Sequence, residues 1–562
     1  MRRITTIEFD GAGKRAVDNA RGRVRVTMVV FALCFSAIGV RLVDLGVLSG
    51  EASDKPNTLA AEAVAPRADI LDRNGVLLAT DLTAISVYAQ IPRILDPRQS
   101  ALKLASVLPG VSADTLERKL SSDSKFIWVK RKVTPAEYDA VNRLGLPGVG
   151  FQREIERVYP HGNLAAHLVG YTNVDGHGLA GVERFFDDKL RKEGPRGEPL
   201  ELSIDIRVQH ALRDEIAGMV EEFRALGGAG LILDIRSGEI VAMTSLPDFN
   251  PNEPGRIANN PELINRMSHA VFEWGSTFKT FTIAQALEEG TTSFTGGYDA
   301  SSPIRVARFT INDDHPKHRW LSTPEIFMYS SNIGTVKMAL AFGTEKQKAF
   351  LGKLGFLGRA HVELKETGAP LIPAQWREIN TMTISFGHGL SITGLQLAAG
   401  YAAVAGDGIL HPVTVLKTPE GYRPKGERVV SEETARKVQG MLRLVVERGT
   451  GRKADAPHYL VGGKTGTAEK VGGGGYKKKS LVSSFVSIFP SINPRYVVLV
   501  MVDEPKGNAS TYGYATAGWT AAPTTKRVIE RIAPMLGVAP SNEPTHPVTH
   551  EIMQYIQPEL RS

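Results

Sequence analysis

One cysteine in 562 residues, Cys34, rules out an intramolecular disulfide. Every folded part of the chain must therefore be held together by packed cores. The 13 histidines are scattered without ligand spacing and no His-Glu-x-x-His occurs, so the sequence implies no metal and no other cofactor. Glycine is plentiful, but Gly170, Gly176, Gly178 and Gly181 do not follow the dinucleotide spacing and no phosphate-loop lysine comes after them. That stretch reads as a loop or an interdomain hinge. The net charge of +7 is modest for this length and gathers at one end, which argues against nucleic-acid binding. Long apolar runs are scarce too.

The one such run is near the start. Residues 1–25 carry Arg2, Arg3, Lys14, Arg15, Arg21, Arg23 and Arg25 against Glu8, Asp10 and Asp18. Val26 to Val40 follows without a charge, and counted through Leu48 the segment reaches the ~20 residues that span a bilayer. Arg41 and Asp44 share a helical face and can pair. The basic flank places 1–25 as a cytoplasmic tail, 26–48 as a transmembrane helix and everything after residue 50 outside. A cleaved signal peptide is the alternative, but no small-x-small site follows the apolar core.

The remainder divides by composition. Residues 49–200 open with a short polar linker. Next come two apolar runs around Asp72-Arg73-Asn74-Gly75, read as a β-hairpin. Amphipathic helices are expected at Pro97 to Leu108 and Thr134 to Leu144, and an extended run at Gly148 to Pro160. Residues 201–536 form a second domain. Gly230 to Ile235 and Glu239 to Thr244 flank Arg236-Ser237-Gly238 as a buried hairpin. Residues 321–450 are mostly helical, and strands return at Gly462 to Glu469, Leu481 to Phe489 and Tyr496 to Val502. The class is α+β, with one antiparallel sheet of about five strands and helices at its sides. Residues 537–562, polar and proline-rich, read as a disordered tail.

The chemistry concentrates in three short stretches. Ser276-Thr277-Phe278-Lys279 precedes an apolar helical run, so serine and lysine share a helix face. A serine hydroxyl needs a base within reach, and a desolvated lysine can serve. Gly275 permits a sharp turn into the helix. The pattern also occurs at Ser100 to Lys103 and Ser122 to Lys125, so alone it describes any two surface residues on a helix. Ser330-Ser331-Asn332 reads by itself as a loop or helix cap. Lys464-Thr465-Gly466-Thr467 lies on an expected strand as an anion-binding edge, with Gly466 allowing a substrate backbone to approach. An exposed strand would contain the same residue types. The order of the three on one chain is far more specific than any one.

In that order the sequence resembles the penicillin-binding proteins, serine acyltransferases. Ile311 to His315, Ser385 to Ser391, Glu447 to Gly451 and Phe485 to Pro490 match as further landmarks. With Arg67 to Ala79, Arg157 to His167 and Gly181-Val182-Glu183, the resemblance is to the monofunctional class B type, and most to its cell-division, FtsI-type members. It covers about residues 20–535. Two departures stand out: Trp274 replaces the family's usual proline before Gly-Ser, at one wall of the acyl site, and Ala517 to Pro523 varies the closing glycine-rich segment.

The resemblance implies a single transmembrane helix, an elongated β-rich pedestal like the dimerisation domain of these proteins, and a penicillin-binding transpeptidase domain. It implies a septal D,D-transpeptidase that cross-links peptidoglycan stem peptides and is acylated by β-lactams. The catalytic domain would lie on the periplasmic side of a bacterial inner membrane, at the division septum. Ser276 attacks, neutral Lys279 takes its proton, and the N–H groups of Ser276 and Thr467 form the oxyanion hole. Ser330, with Lys464 near it, relays a proton to the departing D-alanine. Asn332 holds the substrate amide, and Lys464, Thr465 and Thr467 bind the terminal carboxylate. The two lysines should depress each other's pKa. The pedestal is too short for a glycan polymerase, which implies a membrane-embedded, FtsW-like polymerase and other division proteins as partners. Three alternatives share the motif set: an elongation-type transpeptidase, a D,D-carboxypeptidase or β-lactamase, and a β-lactam sensor. A membrane anchor and a pedestal count against a free β-lactamase.

Overall fold

The computed structural model describes residues 12–43, 66–194, 197–253, 261–306, 309–472 and 475–557. Residues 1–63 and 64–562 form two compact units. The first is represented by one helix, α1 (Ala12–Val43), of which Ala20–Val40 is long and apolar enough to cross a membrane. From Val24 to Val40 its valines, phenylalanines and leucine are exposed. The expected span ran to Leu48; residues 44–48, the linker to residue 65 and residues 1–11 of the basic tail lie outside the described residues, while 12–25 continue the helix.

The second unit begins with a small sheet. β1 (Ile70–Leu71) and β2 (Leu77–Ala89) make the expected hairpin, and β3 (Ile127–Val133) and β4 (Val149–Val158) both pair with β2. Three helices accompany these strands: α2 (Pro97–Val107), α3 (Ala113–Leu120) and α4 (Pro135–Arg143). Each starts with a capping side chain, Asp96, Ser112 or Thr134, that satisfies an orphan backbone N–H. Their apolar faces close a separate core around Val87, Leu104, Leu116 and Val141.

The glycine-rich stretch holds a buried ion network. Arg67 and Arg157 both clamp Glu183, which is fully buried, with Nε to carboxylate distances of 2.9 and 2.7 Å. Arg157 also reaches Asp81, and Arg67 reaches the Gly176 carbonyl. Asp72 joins this region to the second domain. Its carboxylate accepts from Asn74 and Val76 within the hairpin and from Ile206 at the start of α5 (Ile206–Glu222).

The main sheet is antiparallel. Its strands are β6 (Gly227–Asp234), β7 (Ile240–Leu246), β8 (Gly462–Gly472), β9 (Gly475–Phe489) and β10 (Tyr496–Asp503), after a short β5 (Leu200–Glu201) that extends the first sheet beside β1. The order is β8-β9-β10-β6-β7. Alternation along β10 sends Val498, Val500 and Val502 to one face and Val497, Leu499 and Met501 to the other. The first face packs on α5 and on a C-terminal helix, Ala521–Met535. The second packs on the helical middle of the domain, which explains why the strands are apolar on both sides. β8 is an edge strand, so the Lys464 to Thr467 backbone borders the open side of the sheet.

The chain after residue 537 corrects one expectation. Instead of a disordered tail, it forms a helix at Pro547–Ile552 that lies against the long helix Glu432–Arg448. Ile552 is fully buried, Thr549 donates to the Gly440 carbonyl, and a side chain on Gly440 would collide with Val548. Tyr555 and Gln557 then bond to Ser322 and Glu325. Few apolar residues are needed for this docking, which is why composition concealed it.

Candidate active site

Ser276 lies on a 3-10 turn, Gly275–Phe278, and Lys279 opens the helix α6 (Lys279–Glu288). Gly275 adopts φ +53°, and a Cβ there would sit 2.5 Å from the Thr467 carbonyl oxygen. The turn thus needs glycine twice: for its backbone conformation and for its approach to β8. Behind the turn, the Tyr401 hydroxyl donates to the Thr277 carbonyl at 2.8 Å and lies 2.7 Å from Thr280 Oγ1. Tyr401 is a lone buried hydroxyl in an apolar helix (Gly394–Ala405), a signal that sequence reading passed over.

Ser276 is half-buried, and its hydroxyl makes no hydrogen bond to the described residues. Lys279 is 0 % exposed. Its Nζ donates to the Ser330 carbonyl and, at 3.0 Å, to Ser330 Oγ. Lys464, also 0 % exposed, donates to the same Oγ at 3.1 Å and to the Thr465 carbonyl at 3.2 Å. One hydroxyl therefore bridges two lysines from distant segments. Ser330 reaches it from φ +62°, a left-handed backbone that costs a residue with a side chain about 1–3 kcal/mol. The Ser331 N–H bond to the Ile326 carbonyl and the Ser331 hydroxyl bond to Asp313 hold the loop there.

Asp313 also accepts from the Ile333 N–H at 2.9 Å and so fixes the start of the helix Asn332–Phe342. Asn332 donates its side-chain amide to the Asn312 carbonyl at 2.8 Å. Thr465 Oγ1 lies 2.7 Å from Thr450 Oγ1, and Thr467 Oγ1 accepts from the Ala517 N–H at 3.3 Å. Asp313 and Thr450 belong to the landmark stretches, but their roles are visible only in three dimensions.

Burial is the main influence on the lysines. It lowers Lys279 to about 8, with Asp313 and Asp314 opposing, and it holds Lys464 well below the usual 10.5, with the Lys279 charge adding to the effect. Of the expected mutual depression only the effect of Lys279 on Lys464 is present, and it is secondary to desolvation. Two other expectations change in their physical detail. The space a side chain would take at Gly466 is filled by the Trp274 carbonyl, 2.4 Å from a Cβ there, so the glycine serves packing within the protein. Trp274 does not form a wall of the site: it is buried against Phe272, and its indole N–H donates to the Ile392 carbonyl at 2.9 Å.

Residues 228–530 match the model of the penicillin-binding protein transpeptidase domain. This chain belongs to that family. Residues 62–196 match the penicillin-binding protein dimerisation domain, so the penicillin-binding protein is of the two-domain class B, FtsI-like kind. It is 40 % identical over 95 % of its length to a protein named probable peptidoglycan D,D-transpeptidase FtsI of Caulobacter vibrioides, and covers 92 % of that protein. To the peptidoglycan D,D-transpeptidase FtsI of Escherichia coli it is 30 % identical, with 80 % and 81 % of the two chains covered. The crystal structure of penicillin binding protein 3 from Mycobacterium tuberculosis, complexed with aztreonam, superposes with a TM-score of 0.67 at 26 % identity, covering 86 % of this chain and 99 % of that one.

Proposed function

We propose that this penicillin-binding protein is a peptidoglycan D,D-transpeptidase of the division septum, with Ser276 as its nucleophile. The observation that carries the reading is the Ser330 hydroxyl shared between Lys279 and Lys464, beside Ser276. A neutral Lys279 takes the Ser276 proton as the hydroxyl attacks the carbonyl between two terminal D-alanines. The C–O bond to Ser276 forms as the C–N bond to the leaving D-alanine breaks, and the proton reaches that nitrogen through Ser330 and the lysine pair. The backbone N–H groups of Ser276 and Thr467 receive the developing oxyanion; the close approach of Gly275 to Thr467 supports this role. Asn332 presents its side-chain oxygen to the substrate amide, while Thr465 and Thr467 hold the terminal carboxylate. The open edge of β8 can pair with an extended peptide.

An amine from a second stem peptide then displaces Ser276, completing the cross-link. The apolar helix supports a single-pass anchor in the inner membrane with the catalytic domain on the periplasmic side; the pedestal, too short for a glycan polymerase, supports an FtsW-like membrane polymerase as the supplier of glycan strands. The test is covalent labelling by a fluorescent penicillin, together with product analysis on stem peptides with and without an amine acceptor. Labelling without cross-linked product would move the reading to a carboxypeptidase.

A further inference from the structure

A cavity of about 580 Å³ opens beside the Lys464 to Thr467 strand. Four cationic or basic side chains line it, His315, Lys317, Arg448 and Arg452, and no acidic residue does. Arg448 and Arg452 form no ion pair among the described residues, and Lys317 lies 4.3 Å above the Tyr329 ring. Thr450 is part of the lining and is also the partner of Thr465 Oγ1. The far wall is Met553, Ile556 and Gln557, from the C-terminal segment docked on the domain.

Reversibility says what enters this chamber. On the proposed reading, Thr465 holds the carboxylate of the leaving D-alanine. Aminolysis of the acyl-enzyme is acylation run backwards: the attacking nitrogen takes the place of the departed one, the C–N bond forms, the C–O bond to Ser276 breaks, and the amine proton returns to Ser276. The acceptor's neighbouring atoms then lie along the path toward Thr465 and Thr450. An acceptor is larger than D-alanine, so its remainder must go beyond Thr450, into the chamber. We infer that the chamber is the acceptor subsite and selects an amine whose far end carries a carboxylate, captured by Arg448 and Arg452. The inference rests on the transpeptidase reading.

The test uses the full chain in detergent, acylated by an N-acyl-D-alanyl thioester, with D-glutamate or D-glutamine as acceptor. These amines differ only in the charge at the end of the side chain. The wild type should favour D-glutamate. In the Arg448→Ala/Arg452→Ala double variant, aminolysis by D-glutamate should fall about tenfold, the scale of one charge-assisted hydrogen bond. Aminolysis by D-glutamine and labelling by penicillin should be unchanged, and Arg448→Lys/Arg452→Lys should restore the preference. Equal use of both acceptors by the wild type, or an equal loss with both in the alanine variant, overturns the acceptor subsite. A fall in penicillin labelling alone would make the chamber a donor site and overturns it too. Failure of the wild type to form any acyl-enzyme would instead overturn the transpeptidase reading.

Discussion

Lys464, on an edge strand, donates to the Oγ of Ser330, 134 residues earlier in the chain, at 3.1 Å. The contact makes Lys464 a member of the proton network, whereas sequence position alone pointed chiefly to the substrate carboxylate. Lys464→Ala should therefore slow acylation by about 100- to 10,000-fold, the range for an acid–base residue, for both a penicillin and its ester. Thr465→Val should slow only the free acid. Second-order acylation rates of both forms on both variants check this; a loss confined to the acid in Lys464→Ala returns the lysine to the anchor role.

Ser276→Ala should abolish penicillin labelling and leave the thermal unfolding transition in place. The other two serines of the same pattern should be dispensable for labelling. Ser100 is buried in α2, and Ser122 bonds its own chain at the Lys119 carbonyl, both within the first domain. Gel fluorescence of the three alanine variants decides the assignment.

Acylation should rise with pH and level off above about 8, as Lys279 loses its proton. The linkage to stability has the same sign. Below about 8 the lysine is charged in both folded and unfolded chains, and its burial is a constant penalty. Between about 8 and 10.5 the unfolded chain holds a proton that the folded one does not, so this contribution to stability increases with pH. Acylation rates from pH 6 to 9.5 should show the limb, and Asp313→Asn should move it to lower pH.

Ile552→Ala should cost about 2–5 kcal/mol, as for a buried aliphatic side chain truncated in a packed core. Urea unfolding of the protein without α1 measures it. A cost below about 0.5 kcal/mol, the level of an exposed site, would mean that the C-terminal helix does not dock in solution.

Without residues 1–50 the protein should leave the membrane fraction and still be labelled by penicillin. The apolar span lies in the first compact unit and the motif residues in the second. Fractionation followed by labelling tests both halves of the statement, and full retention in membranes would indicate a second anchoring surface.

The main sheet was legible because β6, β7 and β10 hold continuous apolar runs and its hairpins carry turn residues. The helices of the first domain were legible from amphipathic spacing, with Pro97 and Pro135 at their starts. The motif residues were legible as an ordered set; Lys279 and Lys464 meet on the Ser330 hydroxyl, and the turn that carries Ser276 approaches Thr467. Their orientation was not. That Lys279 faces Ser330, that Gly466 makes room for a carbonyl of its own chain, and that Trp274 turns into the core all depend on contacts between segments far apart in the chain. Tyr401 and Thr450 escaped because their roles lie in hydrogen bonds to other segments: Tyr401 to Thr277 and Thr280, Thr450 to Thr465.

The docking of residues 547–557 bears on how the protein can be tagged. Gln557 is tied to Glu325 and lies at the wall of the basic chamber, so a fluorescent protein fused after Ser562 begins only a few residues from that wall. A label at the other end of the chain joins the first compact unit, which contributes no residue to the chamber wall.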